Sequence, residues 1–415
     1  MSFQPELRRA ATWSAIALGF AIPISTATSN ILLALTILLF AMSGAYREKW
    51  QVIARNPLAI AALWLCALTL LGCAWGGGAW PEKKHYLVKY LALLVIPLLV
   101  PLFASSANRV HALQAFVAAM LLTLLISCLS WLNLLGWLPD AVASRFDANQ
   151  TVDMMGARNA VVFKLSITHS FLMAIAAYLL AQAARLTKPT RLRWLLAGLA
   201  MLAAANVLVM VVGRTGYVVL AVLGMCFFIR RYGRRGALLA AIICVLVGAA
   251  TFHWSAAFHA RTSAAIEEAA HWQEGKGDPS SIGARLDFYN NTLKIIREHP
   301  LIGVGTGGFA IAYSEKIKNT EMVESNNPHN QYLLFTAQYG ILGLAALLSF
   351  YVLYWRLAGK LAPPWQEIAR AVLLVYAVGN LFNSFMLDYS ERMLFAWLSG
   401  ILFAGLADQA RHENG

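Results

Sequence analysis

The stretch from Pro328 to Gly343, PHNQYLLFTAQYGILG, puts a histidine and an asparagine at the mouth of a long apolar run. Titratable groups at membrane depth are costly in lipid and call for a reason. Two readings of His329 stand side by side. In one it is an interfacial histidine satisfied by its neighbours, one of nine in the chain. In the other it is a general base, because a neutral imidazole takes a proton from a sugar hydroxyl near neutral pH. Arginines close by would depress its pKa and keep it neutral.

Arginines are the second group with chemistry to offer. Arg214, in VVGRTGY, sits in a tight turn flanked by glycines. Arg285 lies in the longest polar segment, and Arg158 opens an apolar run. A guanidinium matches phosphate with a bidentate fork, so arginines gathered at a membrane surface point to a pyrophosphate. Lys83, Lys84, Lys89 and Lys164 also stand at the ends of apolar runs. For Lys83, Lys84 and Lys164 the plainer reading is snorkelling to lipid head groups. Lys84 and Lys89 are nonetheless carried, with Arg158 and Asn330, as substrate-binding candidates. A Gly-rich phosphate loop, an HExxH and closely paired acids are all missing from the sequence. Asp388 and Glu391 come nearest to an acidic pair, and they read as a solvated loop pair with Arg392. No metal and no cofactor is expected.

These residues need elements to hold them, and the composition says which kind. Of the 415 residues 59% are hydrophobic and 13% charged, and the mean hydropathy is +0.61. That is a polytopic membrane protein. A net charge of +13 would suggest nucleic acid in a soluble chain. Here the Lys and Arg fall in short loops, which is the positive-inside bias. Cys66, Cys73, Cys128, Cys226 and Cys244 lie in apolar runs without metal or disulfide spacing. The first apolar run is followed at once by another, which reads as a retained hairpin rather than a cleaved signal.

Against a ruler of about 20 apolar residues per crossing, the chain offers twelve candidate spans. They fall near Ala11–Ala27, Asn30–Met42, Leu58–Trp75, Tyr86–Phe103, Ala112–Leu134, Asn159–Ala184, Trp194–Val212, Gly216–Phe228, Ala237–His253, Asn330–Tyr354, Ile368–Phe385 and Met393–Ala407. Basic loops after alternate spans all fall on one side if both termini are cytoplasmic. The expected organisation is helices in 1–254, an outward loop domain in 255–328, and helices again in 329–415. In that loop Ser281 can cap a helix to about Arg297, with Ile282, Leu286, Tyr289, Leu293 and Ile296 as its apolar face. Pro300 and Gly303, Gly305, Gly307 and Gly308 then make a turn-rich return.

The same residues resemble a known family. HNQYLLFTAQYGILG resembles the motif of the O-antigen ligase and polymerase superfamily: His, then Asn, Ser or Gln, nine residues, Gly, two residues, and Gly, Thr or Tyr. His329, Asn330, Gly340 and Gly343 fit it position by position. ARLDFYNNTLKIIREHPLIGVGTGGF is similar to the family's Arg-containing helix and Pro–Leu–x–Gly–x–Gly turn, through Arg285, Pro300, Gly303 and Gly305. Where members often carry a Trp just after the arginine, Phe288 and Tyr289 stand here. GRTGY is similar to the family's arginine turn.

The resemblance implies an all-α polytopic membrane protein of GT-C-like glycosyltransferase architecture, with about 12 transmembrane helices and one large periplasmic loop containing short helices. It implies a Gram-negative inner-membrane, multi-pass ligase with a periplasmic active site. The donor would be an O-antigen glycan on undecaprenyl pyrophosphate and the acceptor a sugar hydroxyl of lipid A–core, joined without metal and with inversion. His329 would be the base, with Arg214 and Arg285 clamping the pyrophosphate. The rivals are O-antigen polymerase, protein O-oligosaccharyltransferase and a lipid-linked glycan flippase. The second usually carries further sequence after its last span, whereas this chain ends at Gly415. A flippase predicts polar mid-membrane cavities, but the ionisable residues here cluster at span ends.

Overall fold

The computed structural model describes residues 3–134, 159–211, 213–274, 276–278 and 280–406. Among the described residues every regular element is helical. In chain order they are α1 Phe3–Ile24, α2 Thr26–Met42, α3 Tyr46–Ala54, α4 Pro57–Leu71, α5 Trp80–Tyr90, α6 Val95–Leu99, α7 Ser106–Trp131 and α8 Ser166–Leu186. There follow α9 Thr190–Ala205, α10 Arg214–Trp254, α11 Ala256–His271, α12 Ser281–Glu298, α13 Gly308–Ile317, α14 Gln331–Ala358, α15 Trp365–Gly379 and α16 Tyr389–Phe403. A 3-10 turn, Leu91–Leu94, links α5 to α6, and a π-helical segment, Asn206–Met210, prolongs α9.

Among the described residues five helices are long and apolar enough to cross a membrane: α7, α8, α9 with its π segment, α10 and α14. The pair α2 and α3 meets the same test as one span bent by 115°. The described residues are therefore those of an all-helical protein with the several apolar spans of a polytopic membrane protein. α10 is two helices end to end, because Gly233 at φ 58°, ψ −135° interrupts it amid Arg230, Arg231, Arg234 and Arg235. The two arms, 214–232 and 234–254, fall where the eighth and ninth spans are expected.

The helices pack as two units. The first draws on Met1–Gly44, Ser105–Ser263 and Ala362–Val375. Its α1 and α2 form a hairpin joined by Ser14 and Thr36, whose hydroxyls lie 3.0 Å apart. Its centre is α8, buried along nearly its whole length. Glu367 on α15 is buried and receives Arg185 at 2.5 Å, Arg230 at 3.1 Å and Gln182 at 3.2 Å, which ties α8 and α10 to α15. A buried carboxylate is tolerated on such terms, paired and hydrogen-bonded.

The second unit draws on Ala45–Ala104, Ala264–Leu361 and Tyr376–Gly415. α16 is buried on all sides, with Trp397 and Phe395 at its centre and Tyr354 of α14 stacked on Phe395. The polar segment before α14 belongs to this unit through α12 and α13. Two expectations for α12 need correcting. The helix is capped by Ser280 rather than Ser281: the Ser280 hydroxyl accepts the Gly283 N–H at 3.1 Å, which is the reach of an N-cap. Its buried face is Gly283, Asp287, Phe288, Asn291, Thr292 and Ile295, not the apolar stripe, of which Leu293 is 42% exposed. The polar members of that face are satisfied there, since Asp287 accepts from Trp272 Nε1 at 2.9 Å and from the Asp278 N–H at 3.1 Å.

Candidate functional site

α14 breaks nine residues after its first residue, and the break builds the ground under His329. Gly340 stands at φ 64°, ψ −162°, a conformation open to glycine alone. The interruption frees carbonyls at Ala337 and Gln338 and the N–H of Ile341. The glycine-rich return after α12 takes them up: Val304 N–H donates to Ala337 at 2.9 Å, Gly305 N–H to Gln338 at 2.8 Å, and Ile341 N–H to Pro300 at 2.8 Å. Irregular backbone inside a membrane protein persists where neighbouring backbone satisfies it in this way. Gly303 and Gly305 both have positive φ; a Cβ on Gly303 would strike the α14 backbone at Ala337 and Gln338, and one on Gly305 the backbone of Gly72 and Gly76. The loop is also fixed to the end of α4, where Thr306 N–H donates to Gly72 and the Thr306 hydroxyl donates to Thr69 at 2.6 Å.

With the first arm of α14 thus held, Asn330 starts it. Its Oδ1 caps the Leu333 N–H at 3.0 Å and its Nδ2 donates to the Leu381 carbonyl at 3.0 Å. Both ends of this amide serve the fold. His329, just outside the helix, is in the left-handed region at φ 54°, which a non-glycine residue adopts at some cost. Its N–H is held by Asn327 Oδ1 at 2.9 Å, and the Ser384 hydroxyl donates to the same oxygen at 2.7 Å. Its carbonyl accepts from the Tyr289 hydroxyl at 3.4 Å.

The ring of His329 is fixed at one nitrogen and open at the other. Nδ1 donates to Asn383 Oδ1 at 3.3 Å, and Phe288 stacks on one face with centroids 5.9 Å apart. Nε2 has no hydrogen-bond partner among the described residues. This tautomer leaves the Nε2 lone pair to act as a base. Burial, and then the positive charge of Arg285, push its pKa below the ordinary 6.5, while Asn383 works in the opposite direction. The imidazole is therefore neutral at pH 7. Arg285, half-buried on α12 one turn before Tyr289, makes no hydrogen bond or ion pair among the described residues. A guanidinium without a protein partner beside a neutral imidazole is a place for an anionic group to dock.

The other candidates divide. Lys84 is exposed, and Lys89 on the same helix donates to His85 Nε2 at 2.8 Å. α5 itself reaches the segment before His329, since Tyr86 donates to the Asn326 carbonyl at 2.5 Å. Arg214 opens α10 in the first unit, half-buried after Gly213. Arg158 lies outside the described residues. The acidic pair is not solvated as expected. Glu391 is 1% exposed, its carbonyl accepting from Tyr376, and burial raises the Asp388 carboxyl against the pull of Lys89 and Arg392. Among the described residues no group of three His, Cys, Asp or Glu is placed to ligate a metal. Asn383, Asn327 and Phe288 are contacts the sequence reading missed. The signal available for Asn383 was its place in GNLFNSF, where polar side chains collect at the end of an apolar run.

A neutral histidine with an open ring nitrogen and an arginine without a protein partner, held at the mouth of an apolar helix, mark this as a candidate site. Comparison narrows the class. The family model described as O-antigen ligase matches residues 199–348, a stretch holding Arg214, Arg285, His329, Gly340 and Gly343, so this part of the chain is similar to the O-antigen ligase family. An uncharacterised protein of Haemophilus influenzae is 30% identical over 92 residues, which cover 21% of this chain and 23% of that protein.

Proposed function

We propose that the protein is an O-antigen ligase that transfers a glycan from undecaprenyl pyrophosphate to a sugar hydroxyl of lipid A–core, at the periplasmic face of a Gram-negative inner membrane that its helices cross twelve times, with both termini cytoplasmic. The observation that carries the reading is the open Nε2 of a neutral, fixed His329 beside the unpaired Arg285 guanidinium. Nε2 takes the acceptor hydroxyl's proton as that oxygen attacks the anomeric carbon. The bond from that carbon to the pyrophosphate breaks, and its electron pair leaves with the diphosphate. Arg285 and Arg214 stabilise the charge that develops there, the role for which preorganised donors are most effective. Arg158, Lys84 and Lys89 assist in holding the substrates, and Asn330 positions the histidine. The step is one displacement with inversion and needs no metal.

The test is reconstitution of purified protein with a lipid-linked glycan and rough lipopolysaccharide in the presence of EDTA. Glycan on lipid A–core supports the proposal. Longer lipid-linked chains would mark a polymerase instead, activity lost to the chelator would remove the metal-free claim, and normal transfer by His329→Ala would remove the base.

A further inference from the structure

A second histidine lies where the mechanism does not use it. His169, on the first turn of α8, is 1% exposed, inside a helix apolar enough to cross a membrane. Ionisable residues at such depth are functional candidates by default. Its surroundings form a directional chain of hydrogen bonds. The Val162 N–H donates to Nδ1 at 3.1 Å, and the Nε2–H then donates to Asn206 Oδ1 at 3.0 Å. Asn206 Nδ2 donates to the Ser127 hydroxyl at 2.7 Å, and that hydroxyl donates to the Ala160 carbonyl at 2.6 Å. Ala160 N–H closes the set by donating to Met210 at 2.8 Å. Nδ1 is also 3.3 Å from the Val162 carbonyl, but only the N–H can bond to it while Nε2 carries the proton.

Each partner in this chain bears on one place. Asn206 opens the π-helical segment, and Met210 ends it. π segments add a residue to a helix and recur at functional sites. After Met210 the chain runs extended at Val211 and Gly213 into Arg214. Ser170, next to His169, closes the other side: a Cβ on Gly213 or on Gly216 would run into its side chain. One turn of α8 thus grips the approach to Arg214 through His169 and the glycines around it through Ser170.

We infer that His169 is a positioning residue that fixes the Arg214 turn through Asn206 and the π segment. The inference rests on the reading of Arg214 as the donor's pyrophosphate clamp, and the experiment separates the two. His169→Leu removes both ring hydrogen bonds, whereas His169→Gln keeps an acceptor and a donor in similar places. Amide hydrogen exchange in the purified protein should rise at 160–162 and 206–213 in His169→Leu and stay near wild type in His169→Gln. Transfer should fall about tenfold or more in His169→Leu through kcat, with KM for the acceptor unchanged, and the Gln variant should recover most of it. Combined with Arg214→Lys, the leucine change should cost much less than it does alone, because residues that act as a unit are not additive. Unchanged exchange in His169→Leu, or additive losses with Arg214→Lys, would overturn the inference. If the wild type transferred no glycan, the donor reading would fail, and the exchange measurement would still judge the hold of His169 on the turn.

Discussion

At the scale of single residues, His329 gives the clearest pH expectation. Burial is the larger cause of its lowered pKa and Arg285 the smaller, and both disfavour the imidazolium. In the proposed step the base is the neutral form, so transfer should hold above the lowered pKa and fall as pH drops through it. Arg285→Ala removes the smaller cause only. The acid limb of kcat/KM should then move to higher pH but stay below 6.5, because burial remains. An acid limb unmoved in the residual activity of that variant would separate Arg285 from the imidazole. Asn383→Leu should act in the other direction on the limb, since the amide raises the pKa. It should also cost roughly 100-fold in rate, because the ring loses the contact that fixes its tautomer. Rates near wild type in that variant would show that Phe288 alone orients the ring. His329 and Arg285 were readable because each sits in a local pattern, a histidine before an apolar run and an arginine one turn into a helix. Asn383 was not, because it meets His329 across 54 positions and no local spacing encodes such a contact.

At the scale of elements, the same contrast holds between what repeats along a helix and what two backbones agree on. Apolar runs gave the helices their places, and helical residues occupy every expected span, including the fourth, where α5, a 3-10 turn and α6 replace one straight helix. The break in α14 was hidden in a run that is apolar on both sides of it. Gly340 could be read as a motif glycine, but its φ and the partners of Ala337, Gln338 and Ile341 come from a segment that the sequence shows only as glycine-rich. Ser280 and Ser281 differ as caps by which hydroxyl reaches the Gly283 N–H, a matter of one residue's backbone angle. Gly340→Ala should therefore be severe. It asks an L-residue to hold a glycine-only conformation, and its Cβ would overlap the Leu301 backbone. A loss of roughly 3 kcal/mol or more is expected, seen as a lowered Tm of the detergent-purified protein. Gly248→Ala in the second arm of α10 is the control, since a Cβ there meets nothing within 4 Å. It should be neutral or stabilise by up to ~1 kcal/mol. Equal losses at the two sites would refute the account of the break.

At the scale of the whole molecule, the proposed function stands on which side of the membrane each polar segment lies. Arg185 in the last turn of α8, Lys188 after it, and Arg191 and Arg193 in the first turn of α9 fall together, and Arg230, Arg231, Arg234 and Arg235 cluster about the break in α10. Short loops rich in Lys and Arg stay on the cytoplasmic side. The proposed function requires the segment that carries Arg285 and leads into His329 to face the periplasm, where a lipid-linked glycan and lipid A–core would meet. Single cysteines decide this directly, against a background in which the five native ones are replaced. Arg191 and Glu321 are both exposed, one in the first turn of α9 and one between α13 and α14. In intact spheroplasts a membrane-impermeant maleimide should label Glu321→Cys and leave Arg191→Cys untouched until the cells are lysed. Labelling in the reverse order would put His329 on the cytoplasmic face. There, neither the donor's glycan nor the acceptor's core sugar would reach its open nitrogen, and the transfer proposed for this chain would have no substrates.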